Sequence, residues 1–209
     1  MEFAFIGTTG NASTQTIGLG GELIVRPGLW VVRTRGAFNR NKSQDALTAE
    51  SAQYLLRTDR ELGSRAGVFG EYTFFRDEFA GIEHRNSVVA GLAYKVVNED
   101  GHLLSFDGGL GYLNEHRLTD PDISTATYEA GGKYNWSFSP TAEISEDVRF
   151  TGVFDQPNDW RAVNVIAIAA RLNSMFSLKA SNTIRYTNAP LAPFKSTDTT
   201  TAIALVAKF

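Results

Sequence analysis

Apolar and polar residues alternate with a period of two in twelve segments of the chain, and no segment carries the 3.6-residue stripe of a helix. Such alternation is the pattern of a β-strand with one apolar face. Most segments have the roughly 9–11 residues that a tilted strand needs to cross a bilayer, or more. The predicted strands are 2–8, 13–25, 28–39, 47–58, 64–76, 82–97, 102–116, 124–138, 141–154, 160–172, 175–187 and 199–209.

The connections between these segments alternate in length. Short turns, built from residues that favour turns, are predicted at 26–28, 59–63, 98–101, 139–140 and 173–174. Most of the other connections are longer and more polar, namely 39–46, 76–81, 117–123, 155–159 and 188–198. Short turns at one rim and longer loops at the other are typical of outer-membrane barrels. We therefore predict an all-β protein with a single domain, residues 1–209. Its fold would be a closed antiparallel transmembrane β-barrel of about 12 strands, with short periplasmic turns and longer extracellular loops.

The predicted strands place charge on one face and apolar residues on the other. Aromatic residues of the apolar face lie near the segment ends, where a bilayer has its interfaces. They include Trp30, Tyr94, Trp136, Phe138, Trp160 and Phe209. The same face is rich in glycine and alanine, which would leave a soluble core underpacked, whereas lipid would fill the gaps. The apolar face is therefore predicted to meet lipid, and a soluble lipocalin-like barrel is the alternative.

Three polar residues do not fit this assignment, because Glu146, Asn164 and Asn182 fall on the predicted lipid face. A β-bulge or a one-residue shift of register would move each of them to the inner face. Such an irregularity is the expected correction at each position.

The composition narrows the class of protein. No apolar run approaches the roughly 18 residues of a spanning helix. There is no cysteine for a disulfide framework or a thiolate metal site, and a net charge of −3 argues against nucleic acid as a partner. The chain begins Met-Glu-Phe-Ala-Phe, without the regions of a signal peptide, so we interpret it as a mature form with an added methionine, its signal peptide removed. These features favour a location in the bacterial outer membrane, in contact with its lipid.

The predicted inner face carries more basic than acidic side chains, although the whole chain is acidic. The principal candidate lumen residues are Arg33, Arg35, Arg65, Glu71, Arg85, Glu129, Lys133, Asp147, Arg149, Lys179 and Arg185. One interpretation is a plugged lumen, in which inward Arg and Glu side chains pair across strands. The other is a path for small anionic solutes, because unpaired basic side chains in a pore favour anions. The strand number does not decide, since it lies between side-chain-filled barrels and open porins.

No arrangement of residues points to catalysis. The three histidines, His84, His102 and His116, are predicted at the rims, and none has a serine two residues further along its strand. None has metal-ligand spacing. The glycine-rich run within 102–116 has no helix after it and does not form a phosphate-binding loop. We therefore predict no enzyme activity, no metal and no cofactor.

Several motifs resemble the salt-induced outer-membrane proteins, a family of unknown function. The most specific is Arg-Asp-Glu-Phe-Ala-Gly-Ile at 76–82, followed by Arg85, and the likeness extends to Thr-Gly-Asn at 9–11 and to the segments 91–94 and 108–112. The resemblance implies an outer-membrane barrel and brings no catalytic residue. The last strand, which ends on Phe209, resembles the C-terminal signal of outer-membrane barrels, and this implies the barrel-assembly machinery as a partner.

The segment 76–85 is the most distinctive part of the resemblance. One interpretation makes it a latch that folds into the lumen. The other, which we favour, makes it a structural loop in which pairs of Arg and Asp side chains fix the hairpin.

The sequence leaves three functional hypotheses. The first is a small channel or a structural barrel with a basic lumen biased towards anions. The second is a barrel that binds or modifies lipid or lipopolysaccharide at its outer rim. The third is a plugged barrel that does not conduct.

Overall fold

The computed structural model describes residues 2–7, 14–43, 46–119, 121–190 and 196–208. They form an antiparallel β-structure with one 3-10 helix, Glu78–Ala80. The strands are β1 (Glu2–Gly7), β2 (Thr14–Val25), β3 (Trp30–Ser43), β4 (Ala46–Glu61), β5 (Ala66–Asp77), β6 (Ile82–Glu99), β7 (His102–Arg117), β8 (Ile123–Ser139), β9 (Ala142–Val153), β10 (Trp160–Arg171), β11 (Phe176–Thr187) and β12 (Thr197–Lys208).

Each strand pairs with its neighbours along the chain, and β1 pairs with β12 as well as with β2. The hydrogen-bonded order returns to its start, so the sheet closes into a barrel in this structure. Closure gives edge backbone groups a partner strand. The antiparallel all-β fold predicted from the alternation is confirmed. No helix among the described residues is long and apolar enough to cross a membrane.

The connections at one rim follow the prediction more closely than those at the other. Gly28 and Gly101 lie in short turns with φ of 64° and 81°, a region that glycine enters without steric cost. The long loop predicted for 39–46 is wrong, because β3 continues to Ser43 and β4 begins at Ala46. Polar residues there misled the prediction, since they continue the strand pairing.

The two faces of the sheet follow the predicted alternation. Arg57 of β4 contacts Asp107 of β7 at 3.1 Å, across two intervening strands, so both side chains lie inside the barrel. The opposite face is apolar and open, with Leu92, Leu110 and Ile203 each at least 60 % exposed. An outward apolar face is the reverse of a soluble barrel, which buries such side chains.

Glu146, Asn164 and Asn182 remain on the outer face, so the expected bulges are absent there. The described pairing of β9 with β10, β10 with β11, and β11 with β12 is continuous. The polar groups bond to one another instead. Asn164 Nδ2 donates to Glu146 Oε1 at 2.8 Å, and Asn182 Nδ2 donates to Thr201 Oγ1 at 3.0 Å.

Two glycines of the outer face make room for neighbouring rings. A side chain at Gly152 would collide with the ring of Tyr128, and one at Gly132 would press on the ring of Phe106. Protein rings, rather than lipid alone, therefore fill these gaps. These two glycines therefore serve packing between strands, a role that the alternation alone does not predict.

We expect Gly152→Ala to lower the free energy of unfolding by roughly 1–3 kcal/mol, because the added methyl group must displace Tyr128. Gly36→Ala is the matched control, since Gly36 lies on the same outer face with nothing within 4 Å of an added methyl group. It should be neutral or stabilise by roughly 0.5–1 kcal/mol. Urea unfolding in lipid vesicles measures both, and equal destabilisation would contradict the packing role of Gly152.

Leu205→Arg and Ile203→Arg would place charge on the outward apolar face, where both side chains are exposed. In a bilayer we expect each to cost roughly 2–4 kcal/mol near the midplane. Thr200→Arg is the control, because Thr200 is exposed on the inner face of the same strand. Folding yield in vesicles checks this, and an equal loss at all three positions would show the assignment of faces to be wrong.

Candidate functional site: a lumen with two unlike walls

The inner surface of the barrel has two unlike parts. The inner faces of β4–β9 hold most of the charged side chains, which pair with one another, and we call this part the paired wall. The inner faces of β10–β12, β2 and β3 are built mostly from Ala, Ser, Thr and Val with a few charged residues, and we call this part the small-residue wall.

Arg57 is the centre of the paired wall. Its guanidinium group lies 3.0 Å from Asp59, 3.2 Å from Glu71 and 3.1 Å from Asp107, and its side chain is 9 % exposed. The group also lies over the ring of Phe69, 3.9 Å from the centroid, a favourable cation–π arrangement. Alternation places Arg57 inside, but its contact with β7 depends on the closed fold.

Arg149 extends this network to β8 and β9. It contacts Glu129 at 3.2 Å and Asp107 at 3.6 Å. Two guanidinium groups, of Arg57 and Arg149, thus face the four carboxyl groups of Asp59, Glu71, Asp107 and Glu129. The middle of the paired wall is therefore acidic in excess, whereas the sequence predicted an inner face with more basic than acidic side chains.

A second network surrounds Glu115, whose side chain is 1 % exposed. Arg85 lies 2.5 Å from its carboxylate, Arg117 2.6 Å and Arg161 3.5 Å. Asp159 lies 3.9 Å from Arg161 on its far side. Because Arg161 begins the inner face of β10, this network ties the paired wall to the next strand. Three charge-assisted contacts to one buried carboxylate hold the side chains in place.

Inward glycines let the paired wall pack tightly. A side chain at Gly109 or Gly111 would collide with Val89, which is 3 % exposed, and one at Gly131 would collide with Asp107. The glycine-rich run of β7 therefore gives space to side chains of neighbouring strands. This explains the run without a ligand.

The small-residue wall leaves basic side chains open to the lumen. Arg33 and Arg35 of β3 share Glu22, at 3.4 and 3.1 Å, yet the side chain of Arg35 is 53 % exposed. Both interact electrostatically with Lys133 of β8, which also faces Asp147 on β9. Positive charge therefore approaches this part of the lumen from two sides.

Lys179 and Arg185 lie on the inner face of β11, and both are exposed. Lys179 pairs in register with Ala204 and forms no ion pair within the described ranges. Arg185 lies opposite Asp198 and also interacts with Asp77 across the barrel. Lys179 is thus the open basic group towards one end of the strand, and Arg185 is partly neutralised towards the other.

One predicted lumen residue lies elsewhere. Arg65 is exposed in the turn 62–65 between β4 and β5, where its carbonyl oxygen accepts a hydrogen bond from the backbone N–H of Lys95 at 2.8 Å. The prediction extended the strand two residues too far, because alternation does not mark where a turn begins. Arg65 is therefore outside both walls.

The aromatic residues predicted at the rims lie on the outer face. Trp30, Tyr94, Trp136 and Phe138 are 42–50 % exposed. At the other rim, Trp160 stacks on Phe150 at 5.6 Å and packs beside Tyr186 at 5.0 Å. Phe209, predicted to belong to the same set, lies outside the described residues.

The polar groups of one rim are joined in pairs. The rings of His84 and His116 stack at 4.3 Å, and Nδ1 of His116 lies 2.8 Å from Asp122. The hydroxyl of Ser124 accepts a hydrogen bond from Asn114 at 2.7 Å, and within the described ranges none joins it to His116. No group of three or more His, Asp or Glu side chains in the described part of the chain is arranged to hold a metal ion.

The distinctive segment 76–85 forms a compact hairpin. Arg76 forms an ion pair with Glu78, and both side chains are about half exposed. Gly81 takes φ of 75°, and its carbonyl oxygen accepts a hydrogen bond from Leu118 at 3.0 Å. An Arg–Glu ion pair thus lies at the start of the hairpin, and these contacts favour the structural interpretation over the latch.

The whole sequence, residues 1–209, matches the model of a protein family described as protein of unknown function DUF481. The chain belongs to that family. A comparison with curated protein sequences gives no significant match. The description of the family names no function, so the salt-induced character implied by the resemblance stays a prediction.

Solved structures of outer-membrane proteins share the fold. The NanC porin is 7 % identical with a TM-score of 0.65, and the similarity covers 100 % of this chain and 98 % of that one. The KdgM porin is 7 % identical with a TM-score of 0.59, over 100 % and 99 % of the two chains. The translocator domain of the autotransporter NalP from Neisseria meningitidis is 13 % identical with a TM-score of 0.51, over 100 % and 86 %. At these identities the similarity shows a porin-like β-barrel fold.

Arg57→Met should lower the free energy of unfolding by roughly 3–5 kcal/mol, because Asp59, Glu71 and Asp107 would be left without their shared cation. Arg35→Met is the control, since that side chain is half exposed and its loss should cost under about 1 kcal/mol. Urea unfolding in vesicles compares them. A small effect at Arg57 would contradict its central place in the paired wall.

Proposed function

We propose that this protein is a channel of the Gram-negative outer membrane, a closed twelve-stranded transmembrane barrel that passes small anionic solutes along its small-residue wall. The contrast between the two walls carries the proposal. One wall is packed and charge-paired, while the other has short side chains with exposed basic groups.

Three features support the membrane location. The outer face is apolar and open, aromatic side chains lie near the strand ends, and the fold is shared with porins. Lipid is the solvent that such a surface favours. The proposal includes insertion by the barrel-assembly machinery through the strand that ends on Phe209.

The charge along the small-residue wall supports anions as solutes. Arg35, Lys179 and Arg185 are exposed towards the lumen, and basic side chains that line a pore favour anions. The carboxyl groups of Glu71, Asp107 and Glu129 are at most 16 % exposed and lie against Arg57 and Arg149. The acidic excess of the paired wall is therefore largely withdrawn from the lumen, and the basic groups dominate the exposed path.

One structural neighbour supports an analogy for the class of solute. The KdgM porin has been solved in complex with disordered oligogalacturonate, an acidic oligosaccharide. The small-residue wall of this chain, with its spaced basic groups, suits a carboxylate-bearing solute. We infer by analogy that small organic acids or acidic sugars are the solutes, and that no enzyme activity or cofactor is involved.

A plugged barrel is the second candidate, and the paired wall is the observation that favours it. Its two ion-pair networks fix charged side chains from β4 to β10. If side chains also closed the lumen against the small-residue wall, the barrel would fold and not conduct.

Conductance across planar bilayers tests the channel. We expect discrete steps and, under a salt gradient, a reversal potential that shows anion preference. Arg33→Ala combined with Arg35→Ala should shift the selectivity towards cations, because Glu22 would then face the lumen without its partners.

Arg40→Ala combined with Arg60→Ala is the matched control. It removes the same charge from the outer face, where Arg40 pairs with Glu50 and Arg60 lies over Trp30. Unchanged selectivity in the lumen variant, or equal shifts in both variants, would contradict the anion path. A correctly folded but silent barrel would favour the plugged alternative.

A further inference from the structure

One sector of the outer face is polar near the middle of its strands. Glu146 on β9, Asn164 on β10, Asn182 on β11 and Thr201 on β12 lie on four adjacent strands, each a few residues from the strand centre. Glu146 and Thr201 are exposed. We call these four residues the polar sector.

Three other strands of the outer wall, β4, β6 and β7, are different near their middle. On β4, β6 and β7 the outward mid-strand residues are apolar and exposed, as Leu56, Val88, Leu92 and Leu110 are. A wall that simply contacted lipid would be apolar all round. The polar sector therefore marks a place where something other than acyl chains covers the barrel.

The polar sector satisfies only part of its own hydrogen-bonding capacity. The bonds from Asn164 to Glu146 and from Asn182 to Thr201 use one amide hydrogen of each asparagine. A second amide hydrogen and the carbonyl oxygen of each asparagine, the other carboxyl oxygen of Glu146 and the hydroxyl hydrogen of Thr201 stay available. Lipid tails offer no partner to any of these groups, so leaving them in hydrocarbon is costly.

The occupant that matches this surface is a second copy of the chain. The sector holds donors and acceptors together, so it is complementary to itself, as a two-fold interface requires. Two copies inserted in the same direction are related by an axis along the membrane normal, which reverses the strand order. β9 then faces β12, and Glu146 meets a strand face rich in threonine hydroxyl donors (Thr197, Thr199 and Thr201).

Apolar residues around the sector suit the same contact. Ile166, Ile168, Ile184 and Leu178 lie on the outer face of β10 and β11 and are 41–49 % exposed. Between transmembrane helices, polar groups that hydrogen-bond across an apolar interface contribute to association, and the same physical argument applies to the outer faces of two barrels. We infer that this protein forms a two-fold dimer in the membrane through the outer face of β9–β12, with the polar sector at its centre.

Cysteine cross-linking in lipid vesicles at low protein density tests the dimer, and the chain has no cysteine of its own. Ile166→Cys introduces a thiol in the proposed interface, and Leu110→Cys introduces one on the outer face of β7. With a short bismaleimide we expect a cross-linked dimer from Ile166→Cys and none from Leu110→Cys. Adding Asn164→Leu and Asn182→Leu to Ile166→Cys should abolish the dimer.

Matched substitutions separate the polar sector from general effects. Asn86→Leu with Asn114→Leu removes two outward amides from β6 and β7 and should leave the dimer unchanged. Heat-modifiable migration on gels shows that each variant is folded, and Asn182→Leu alone replaces the double variant if that one fails to fold. The experiment measures association of two copies and not conductance. The absence of a dimer would therefore contradict this inference without contradicting the proposed channel.

Three results would overturn the inference. They are the absence of dimer from Ile166→Cys, equal cross-linking at positions 166 and 110, and a dimer that persists when the sector amides are removed from a folded barrel. Cross-linking of Ile166→Cys to a different protein in cell membranes would likewise exclude a second copy as the occupant.

Discussion

A charged side chain that is buried inside this barrel needs a partner of opposite charge. The ion pairs around Arg57 meet this need for the middle of one wall, and the arrangement of the lumen depends on them. Arg57 joins β4 to β7, and the network of Glu115 joins β6 and β7 to β10. Removing either hub would leave buried like charges facing one another. These contacts between strands engage many of the charged side chains of one half of the wall. The other half is left with short side chains and with the exposed groups of Arg35 and Lys179.

Much of the fold follows from local properties of the chain. Alternation depends only on neighbouring residues, and it predicted the antiparallel strands and the outward apolar face. The ends of the strands were harder to predict than their positions, as the segment 39–46 shows. Polar residues can extend a strand as readily as they form a loop. The irregularity of the strand predicted at Glu146 is wrong for a different reason. A polar residue on an apolar face was interpreted as an irregularity of the backbone, whereas the backbone is regular and the surface itself is unusual.

The side-chain contacts of the candidate site depend on the three-dimensional fold, and the alternation along the chain does not predict them. The sequence placed Glu71, Glu129 and Arg149 inside, but it did not show the contacts of Asp107 with Arg57 and Arg149, since these contacts join strands that are not consecutive in the chain. The prediction summed the charges of the whole inner face and therefore gave a lumen with a net positive charge. The structure divides that surface into an acidic, packed part and a basic, exposed part. The division arises from which strands lie opposite one another.

The central claim is that solutes reach one wall of the lumen and not the other, and thiol accessibility measures it directly. Ser181→Cys introduces a thiol on the inner face of β11, and Thr127→Cys introduces one in the paired wall, where the side chain is fully buried. With water-soluble thiosulfonate reagents of either charge, we expect fast labelling of Ser181→Cys, faster with the anionic reagent, and slow labelling of Thr127→Cys. Equal rates at the two positions, or no labelling of Ser181→Cys in a folded barrel, would contradict the account.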